Sequence, residues 1–327
     1  MNAPKIAIAP EGNWAPFRRK KLEEAVDSAG GVLCKPEEAD GLIWIDNFNP
    51  QDLQKIMPDL RARWIQLPWA GVELFIEQGL INDKFTWTCA KGAYGPVVGE
   101  HALALLLAGF RRIYDFARKK EWVQLSDRDP KDSTSFQGDE EEGIYSLYDA
   151  HVVILGGGGI ATHLVSYLQP FGTRVTVLRK HPKQMEGVER VSTLDDLHEI
   201  LPTADALVLA LSLTPETVGI IGKDELKLMK KTALIVNVSR GKQIDTDALV
   251  TALQNNWIGT AALDVTDPEP LPKGHILWDL PNALITPHTA DNALWVSHDF
   301  AHRVHENVKR FALGQPLIGL VDPKLGY

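Results

Sequence analysis

At 327 residues and 44% hydrophobic content, the chain is long enough for about two domains with sizeable cores. Its 43 acidic residues outnumber 34 basic ones, for a formal charge of -9, and no basic stripe interleaved with aromatics is present, which excludes nucleic acid as a partner. Two cysteines, Cys34 and Cys89, are too few for a disulfide framework and lack metal-ligand spacing; the N-terminus has no signal-like apolar region, and the longest apolar run spans only residues 102–110, so a cytoplasmic, soluble protein without membrane contact is expected.

Residues 4–90 alternate short apolar runs with segments able to form helices, the pattern of a parallel sheet with crossover helices. KIAIA (5–9), GLIWI (41–45) and RWIQL (63–67) are the clearest strands. Residues 17–29 carry Leu22, Ala25, Val26 and Ala29 at helical spacing, and Gly30 and Gly31 supply the stop. Trp44, Trp64 and Trp87 fall within strand-like runs and are read as core.

The stretch 97–119 reads as one long helix with an apolar stripe and a basic end, bridging into a second domain. Residues 121–146 are polar, include the acidic run 139–142, and read as a solvated surface excursion. From His151 the strand and helix rhythm resumes with VVIL, a helix to Pro170, then RVTVL, ALVLAL, ALIVNV, GTAAL and ALIT. Six strands suffice for a doubly wound sheet. A last helix covers 292–313, and 316–327 trail from it.

The first strand of this second series runs into glycines: VVILGGGGIA (152–161) places Gly156, Gly158 and Ala161 in the spacing of a dinucleotide-binding turn. The first glycine allows the tight turn, the second lets backbone N–H groups approach a pyrophosphate, and the small third residue lets helix and strand pack closely. A glycine-rich turn by itself also joins any buried strand to any helix, so the flanks decide. An Asp or Glu normally ends the second strand and binds the ribose 2′-hydroxyl, but here Arg179 follows RVTVL, with Lys180 and His181 after it. A 2′-phosphate finds charge-assisted donors there, which favours NADP(H), with NAD(H) as the lesser choice.

Three later segments carry side chains suited to hydride transfer. NVSRG (237–241) ends a buried strand with a guanidinium, TPHTA (286–290) ends another with an imidazole, and DVTDPEP (264–270) lies between them. Arg240 can clamp the carboxylate and carbonyl oxygens of a 2-keto acid, and His288 can give the carbonyl its proton as hydride arrives at carbon. Glu269 is the expected orienter, since a carboxylate on the far imidazole nitrogen fixes the tautomer and raises a pKa of about 6.5. Each of these residues alone also fits a surface ion pair or a turn; their order behind a glycine turn is what joins them.

In these segments, together with PVVGEHALALLLAGFRR and ALSLTPET, the chain resembles the D-isomer-specific 2-hydroxyacid dehydrogenase family, the glyoxylate/hydroxypyruvate reductase-like members in particular. The resemblance covers most of the second domain. It implies an α/β fold of two domains with parallel sheets, a Rossmann dinucleotide-binding domain (99–292) inserted into a flavodoxin-like substrate domain (1–98 and 293–327), with the active site between them. It implies Arg240, Glu269 and His288 as the catalytic set, and Asp264 near the nicotinamide carboxamide. Leu211, Ser212, Val238 and Ser239 would line the cofactor groove, joined by Gly159, Ile160, His288 and Ala290. LPWAGVE resembles the loop whose amides receive the substrate carboxylate, at Trp69, Ala70 and Gly71. Trp69 and Tyr94 would narrow the pocket toward a short 2-keto acid such as glyoxylate or hydroxypyruvate. A homodimer is implied as well.

The chain departs from the family pattern at Ser212 and Lys91, where Pro is usual, and at Asp291, where a small residue is usual. His298, His302 and His305 share one face of the last helix, which is read as a polar face and not a metal site. The expected reaction is reduction of a short 2-keto acid to the D-2-hydroxy acid. Relatives acting on phosphoglycerate or phosphite remain as alternatives, as does a cofactor-sensing corepressor-like binding protein. A formate dehydrogenase would carry Gln where Glu269 stands, and the chain stops soon after its last helix, short of an added regulatory domain.

Overall fold

A computed structural model describes residues 3–12, 16–46, 49–119 and 146–322, and the chain divides into two compact units: Met1–Val97 with Asp291–Tyr327, and Val98–Ala290. The acidic excursion expected at 121–146 lies almost wholly outside the described residues.

The first unit is built on a five-stranded parallel sheet: β1 (Lys5–Ala9), β2 (Val32–Leu33), β3 (Gly41–Trp44), β4 (Trp64–Gln66) and β5 (Thr86–Thr88), in the order β2-β1-β3-β4-β5. This is the flavodoxin-like order with one reversal of direction beside β1. Helix α1 (Arg19–Ser28) turns Leu22, Ala25 and Val26 inward and ends at Gly30, whose φ of +80° is the left-handed turn that glycine adopts without strain. Helices α2 (Pro50–Ile56) and α3 (Glu73–Glu77) complete the crossovers. Trp44, Trp64 and Trp87 are all buried, as their strand positions predict.

Helix α4 (Gly95–Phe110) carries the chain from the first unit into the second, and α5 (Ile113–Lys119) follows it. The single helix expected over 97–119 is therefore two. Arg112 takes φ +49° and breaks the run, and beyond it Tyr114 and Asp115 are buried, with Tyr114 Oη 3.3 Å from Thr260 Oγ1. Arginine is a good helix former, so no local signal marks this break.

The second unit has seven parallel strands: β6 (His151–Leu155), β7 (Arg174–Leu178), β8 (Arg190–Ser192), β9 (Ala206–Leu209), β10 (Leu234–Asn237), β11 (Thr260–Leu263) and β12 (Ala283–Ile285). Their order, β12-β11-β10-β9-β6-β7-β8, is that of a Rossmann sheet, with the direction of winding reversing between β6 and β9. Six of these strands are apolar runs legible in the sequence; β8 is three residues long, polar and half-exposed, and was not expected. Helices α6 (Gly159–Leu168), α7 (Leu197–Ile200), α8 (Lys223–Leu228) and α9 (Thr246–Gln254) supply the crossovers. Residues Ile154, Leu209, Val236 and Leu263 are buried at 2% exposure or less, as expected of strands covered on both faces. Helix α10 (Ala293–Ala312) returns to the first unit with Asn292 as its N-cap, accepting from the N–H of Leu294 at 3.0 Å.

Candidate active site

Every candidate residue of the second unit sits just past the carboxyl end of a strand, where open parallel sheets bind ligands. The glycine turn after β6 has the required form. Gly156 has φ +104°, and a side chain there would lie 2.4 Å from the carbonyl oxygen of Ala210. A Cβ on Gly158 would meet nothing within 4 Å, so the backbone at the start of α6 is open to a close-lying group. Ala161 is fully buried against the sheet. This cradle fits a dinucleotide pyrophosphate: open backbone at a helix N-terminus, with small residues where the chain must pack. Arg179, after β7, lays its side chain across the turn, its Cδ, Nε and Cζ within 2.9 Å of where a Gly157 Cβ would stand. Lys180 follows it at the surface.

After β9, Leu211 and Ser212 begin a loop closed by Thr217, whose hydroxyl donates to the Ser212 carbonyl at 2.8 Å. The loop uses the carbonyl of Ser212, so the departure from Pro costs it no hydrogen bond. After β10, Val238 and Ser239 are buried and Arg240 is extended, donating from Nη1 to the Ser239 carbonyl at 2.7 Å. Two buried amides fix this bend. Asn237 Oδ1 accepts the N–H of Ser239 at 3.0 Å while its Nδ2 donates to the Arg240 carbonyl at 2.9 Å. Gln243 accepts from the Ser239 hydroxyl, and its Nε2 reaches the carbonyls of Leu211 at 3.1 Å and Ser212 at 3.2 Å. Gly241 allows the contact that follows, because a Cβ there would lie 1.9 Å from the carbonyl oxygen of Thr266.

That contact seats the Glu269 segment beside Arg240. Glu269 Oε1 is 2.6 Å from His288 Nδ1, and Oε2 accepts the N–H of Thr266 at 3.4 Å. The bond to Glu269 pushes the His288 pKa up, against partial burial and the nearby positive charge of Arg240. The same bond holds Glu269 below the ordinary carboxylate range. Since Nδ1 faces a carboxylate, Nε2 is the nitrogen left to act on a ligand.

His288 itself has φ +50°, uncommon for a residue with a side chain. Its N–H donates to the Asp264 carbonyl at 2.9 Å, and the next two amides, of Thr289 and Ala290, donate to the Asp264 carboxylate at 2.9 and 3.1 Å. Thr286 Oγ1 adds a bond of 2.6 Å to the same carboxylate, which is 1% exposed. Asp264 thus directs its oxygens to the protein's own donors.

In the first unit, Trp69 packs its ring against Phe17 at 5.2 Å and Tyr94 at 5.7 Å. Tyr94 is buried, its hydroxyl donates to the Pro68 carbonyl at 2.6 Å, and burial pushes its pKa well above the ordinary value. The amides of Trp69, Ala70 and Gly71 find no acceptor among the described residues. His298 and His305 have separate neighbours, Asp299 and Ser28, and no group of three metal-ligating side chains occurs among the described residues. The sequence reading missed His101, Thr286, Asn237 and Gln243. His101, Thr286 and Asn237 lay in quoted motifs, but nothing in those strings said what each touches, and Gln243 lay outside them.

The sequence model described as "D-isomer specific 2-hydroxyacid dehydrogenase, NAD binding domain" matches residues 103–290. The chain is 36% identical over 311 residues to the glyoxylate reductase/hydroxypyruvate reductase of Homo sapiens, covering 93% of this chain and 85% of the human protein. It is 35% identical over 238 residues to the glyoxylate reductase of Aeropyrum pernix, covering 72% and 69%. The crystal structure of a D-isomer specific 2-hydroxyacid dehydrogenase family protein from Aeromonas salmonicida superposes with a TM-score of 0.76 at 26% identity, covering 98% of this chain and 99% of that one. The chain belongs to the D-isomer-specific 2-hydroxyacid dehydrogenase family. It is an oxidoreductase acting on CH–OH groups with a nicotinamide dinucleotide as cofactor. None of its described helices is long and apolar enough to cross a membrane.

Proposed function

We propose that this protein reduces a short 2-keto acid of the glyoxylate or hydroxypyruvate kind to the D-2-hydroxy acid, with NADPH preferred over NADH. The observation that carries this reading is the His288–Glu269 pair, 2.6 Å apart at the carboxyl end of a Rossmann sheet and beside Arg240. The bound dinucleotide supplies the hydride.

The residues of the chain supply the rest. Arg240 holds the substrate oxygens with its guanidinium and favours charge building on the carbonyl oxygen. His288, protonated at Nε2, gives that oxygen its proton, and Nδ1–H remains on Glu269 throughout, so the imidazole keeps one orientation in both protonation states. Raising the imidazole pKa keeps the acid form available near neutral pH, and the reverse reaction uses the neutral form as base. The amides of Trp69, Ala70 and Gly71, without an acceptor among the described residues, suit that loop of the first unit to receive a carboxylate. Arg179, lying over the glycine turn, supports NADPH through its charge-assisted bonds to a 2′-phosphate. A cytoplasmic homodimer accompanies this reading.

The test is oxidation of NADPH and NADH with glyoxylate, hydroxypyruvate and longer 2-keto acids, beside phosphite and phosphoglycerate oxidation. Turnover of short keto acids that drops by about 10² or more in His288→Ala, with NADPH affinity kept, is expected. Absence of keto acid turnover with either cofactor would sink the proposal. Sedimentation of the pure protein tests the dimer.

A further inference from the structure

His101 stands on α4, outside the pair that handles the proton, yet its Nε2 is 3.1 Å from Thr286 Oγ1 and 3.3 Å from Asp264 Oδ1. A carboxylate only accepts, so Nε2 of His101 carries the proton there. Thr286 has a single hydroxyl proton. With the His101 N–H aimed at its oxygen, that proton goes to Asp264 Oδ1, 2.6 Å away.

The order of donation is therefore fixed: His101 to Thr286, Thr286 to Asp264. At its far end Asp264 receives three consecutive backbone amides, His288 on its carbonyl and Thr289 and Ala290 on its carboxylate. These are the bonds that stabilise His288 at φ +50°, a conformation that persists in a residue with a side chain only when its surroundings enforce it. Burial by itself would push the Asp264 carboxyl up, but the bonds from His101, Thr286 and the two amides more than offset it and hold the group ionised. An ionised, 1% exposed carboxylate needs every one of its donors, and His101, at 21% exposure, is one of the two side chains among them, with Thr286.

We propose that His101 is a positioning residue for the hydride-transfer reaction: by donating through Thr286 to Asp264 it steadies the carboxylate that pins residues 288–290, and so aims the imidazole of His288. This rests on the reading of His288 as the proton donor. A packing role would need only the ring. The positioning role needs the N–H at Nε2, and that difference makes the two separable.

His101→Phe keeps a ring and removes the donor, whereas His101→Gln returns an N–H near the position of Nε2. In the Phe variant kcat for glyoxylate reduction is expected to fall about tenfold to a hundredfold, with Kd for NADPH within about twofold. The Gln variant should recover to within about threefold of the unaltered protein. Amide hydrogen exchange at Thr289 and Ala290, which needs no turnover, should quicken about tenfold in the Phe variant and stay slow in the Gln variant. If the Phe variant fails to fold, Thr286→Val cuts the same chain in its middle and should give the same kinetic and exchange changes.

Near-normal kcat in the donor-less variant, equal losses in Phe and Gln, or unchanged exchange at 289 and 290 would each overturn the proposal. The two readings fail differently. Unaltered protein inert toward every keto acid, with exchange still quickened by His101→Phe, would remove the role of His288 and leave the backbone latch standing. Normal turnover of the unaltered protein with no change in exchange would remove the latch alone.

Discussion

The closest backbone approach in the site gives a sharp prediction. A Cβ at position 241 would lie 1.9 Å from the carbonyl oxygen of Thr266, 2.0 Å from its carbon and 2.6 Å from the nitrogen of Asp267. These are backbone atoms, so no change of rotamer relieves the clash. Real Cβ atoms come no closer than about 3.0 Å, and in Gly241→Ala the two segments must therefore part by roughly 1 Å. One segment carries Arg240 and the other leads within three residues to Glu269. A misplacement of about 1 Å costs on the order of 10² in rate, and forcing a well-packed site apart costs about 1–3 kcal/mol of stability. The expected result is a loss of kcat/KM for glyoxylate of about a hundredfold, with Tm lowered by a few degrees, roughly 2–4 °C per kcal/mol for a unit the size of Val98–Ala290. Steady-state kinetics with NADPH and a thermal melt measure both. A Gly241→Ala protein with kcat/KM and Tm close to those of the unaltered chain would refute the reasoning, because it would mean that the two segments do not need their contact.

Three further outcomes follow from named groups. Glu269→Gln removes the carboxylate that raises the His288 pKa, so the pH at which reduction fails on the alkaline side should move down; an unmoved limb in a kcat/KM profile would detach Glu269 from His288. The same raised pKa bears separately on stability: His288 stabilises the fold below its unfolded pKa and loses that contribution as pH rises through the folded value. Arg179→Ser should weaken NADPH binding by about tenfold or more while changing NADH by about twofold or less, and equal losses for both cofactors in fluorescence titrations would disprove a 2′-phosphate contact. Asp264 is depressed when folded, so its contribution to stability is present above its unfolded pKa and lost as pH falls through the folded one; acid unfolding of Asp264→Asn should show a shallower loss on the acid side than the unaltered protein does.

The Rossmann sheet was legible because its signals are local. Short segments rich in apolar residues mark β6, β7, β9, β10, β11 and β12, and the glycine spacing after β6 marks the first turn. The same holds for the segments around Arg240, Glu269 and His288, each a short string at a strand end. What escaped was either too short or too far apart. β8 has three residues and no apolar run, and the break at Arg112 is made by burial of Tyr114 and Asp115, which no periodicity of 97–119 reveals. His101 and Thr286 are 185 positions apart, so their contact has no sequence signature. Gly241 was visible in NVSRG as a letter, but the reason for it, the carbonyl of Thr266, belongs to another strand end.

These hidden contacts share a physical form. Gln243, fully buried, spends both amide protons on the carbonyls of Leu211 and Ser212 and its oxygen on Ser239, while Asn237 ties Ser239 to Arg240. The loop expected to line the cofactor groove and the bend that presents the guanidinium are thereby one hydrogen-bonded body. Asp264 does the same for the imidazole, joining the ends of β11 and β12 through three backbone amides. A buried polar group missing one partner pays the full desolvation penalty of about 1–3 kcal/mol, so each network is held together all at once or not at all. On the proposed reading these are the loops that present a guanidinium and an imidazole, and the side-chain networks fix them where no strand pairing does. On the proposed reading, exchange of the exposed Glu269 or His288 is expected to cost chemistry first, whereas exchange of the buried Asn237, Gln243 or Asp264 is expected to cost the geometry of the loops as well.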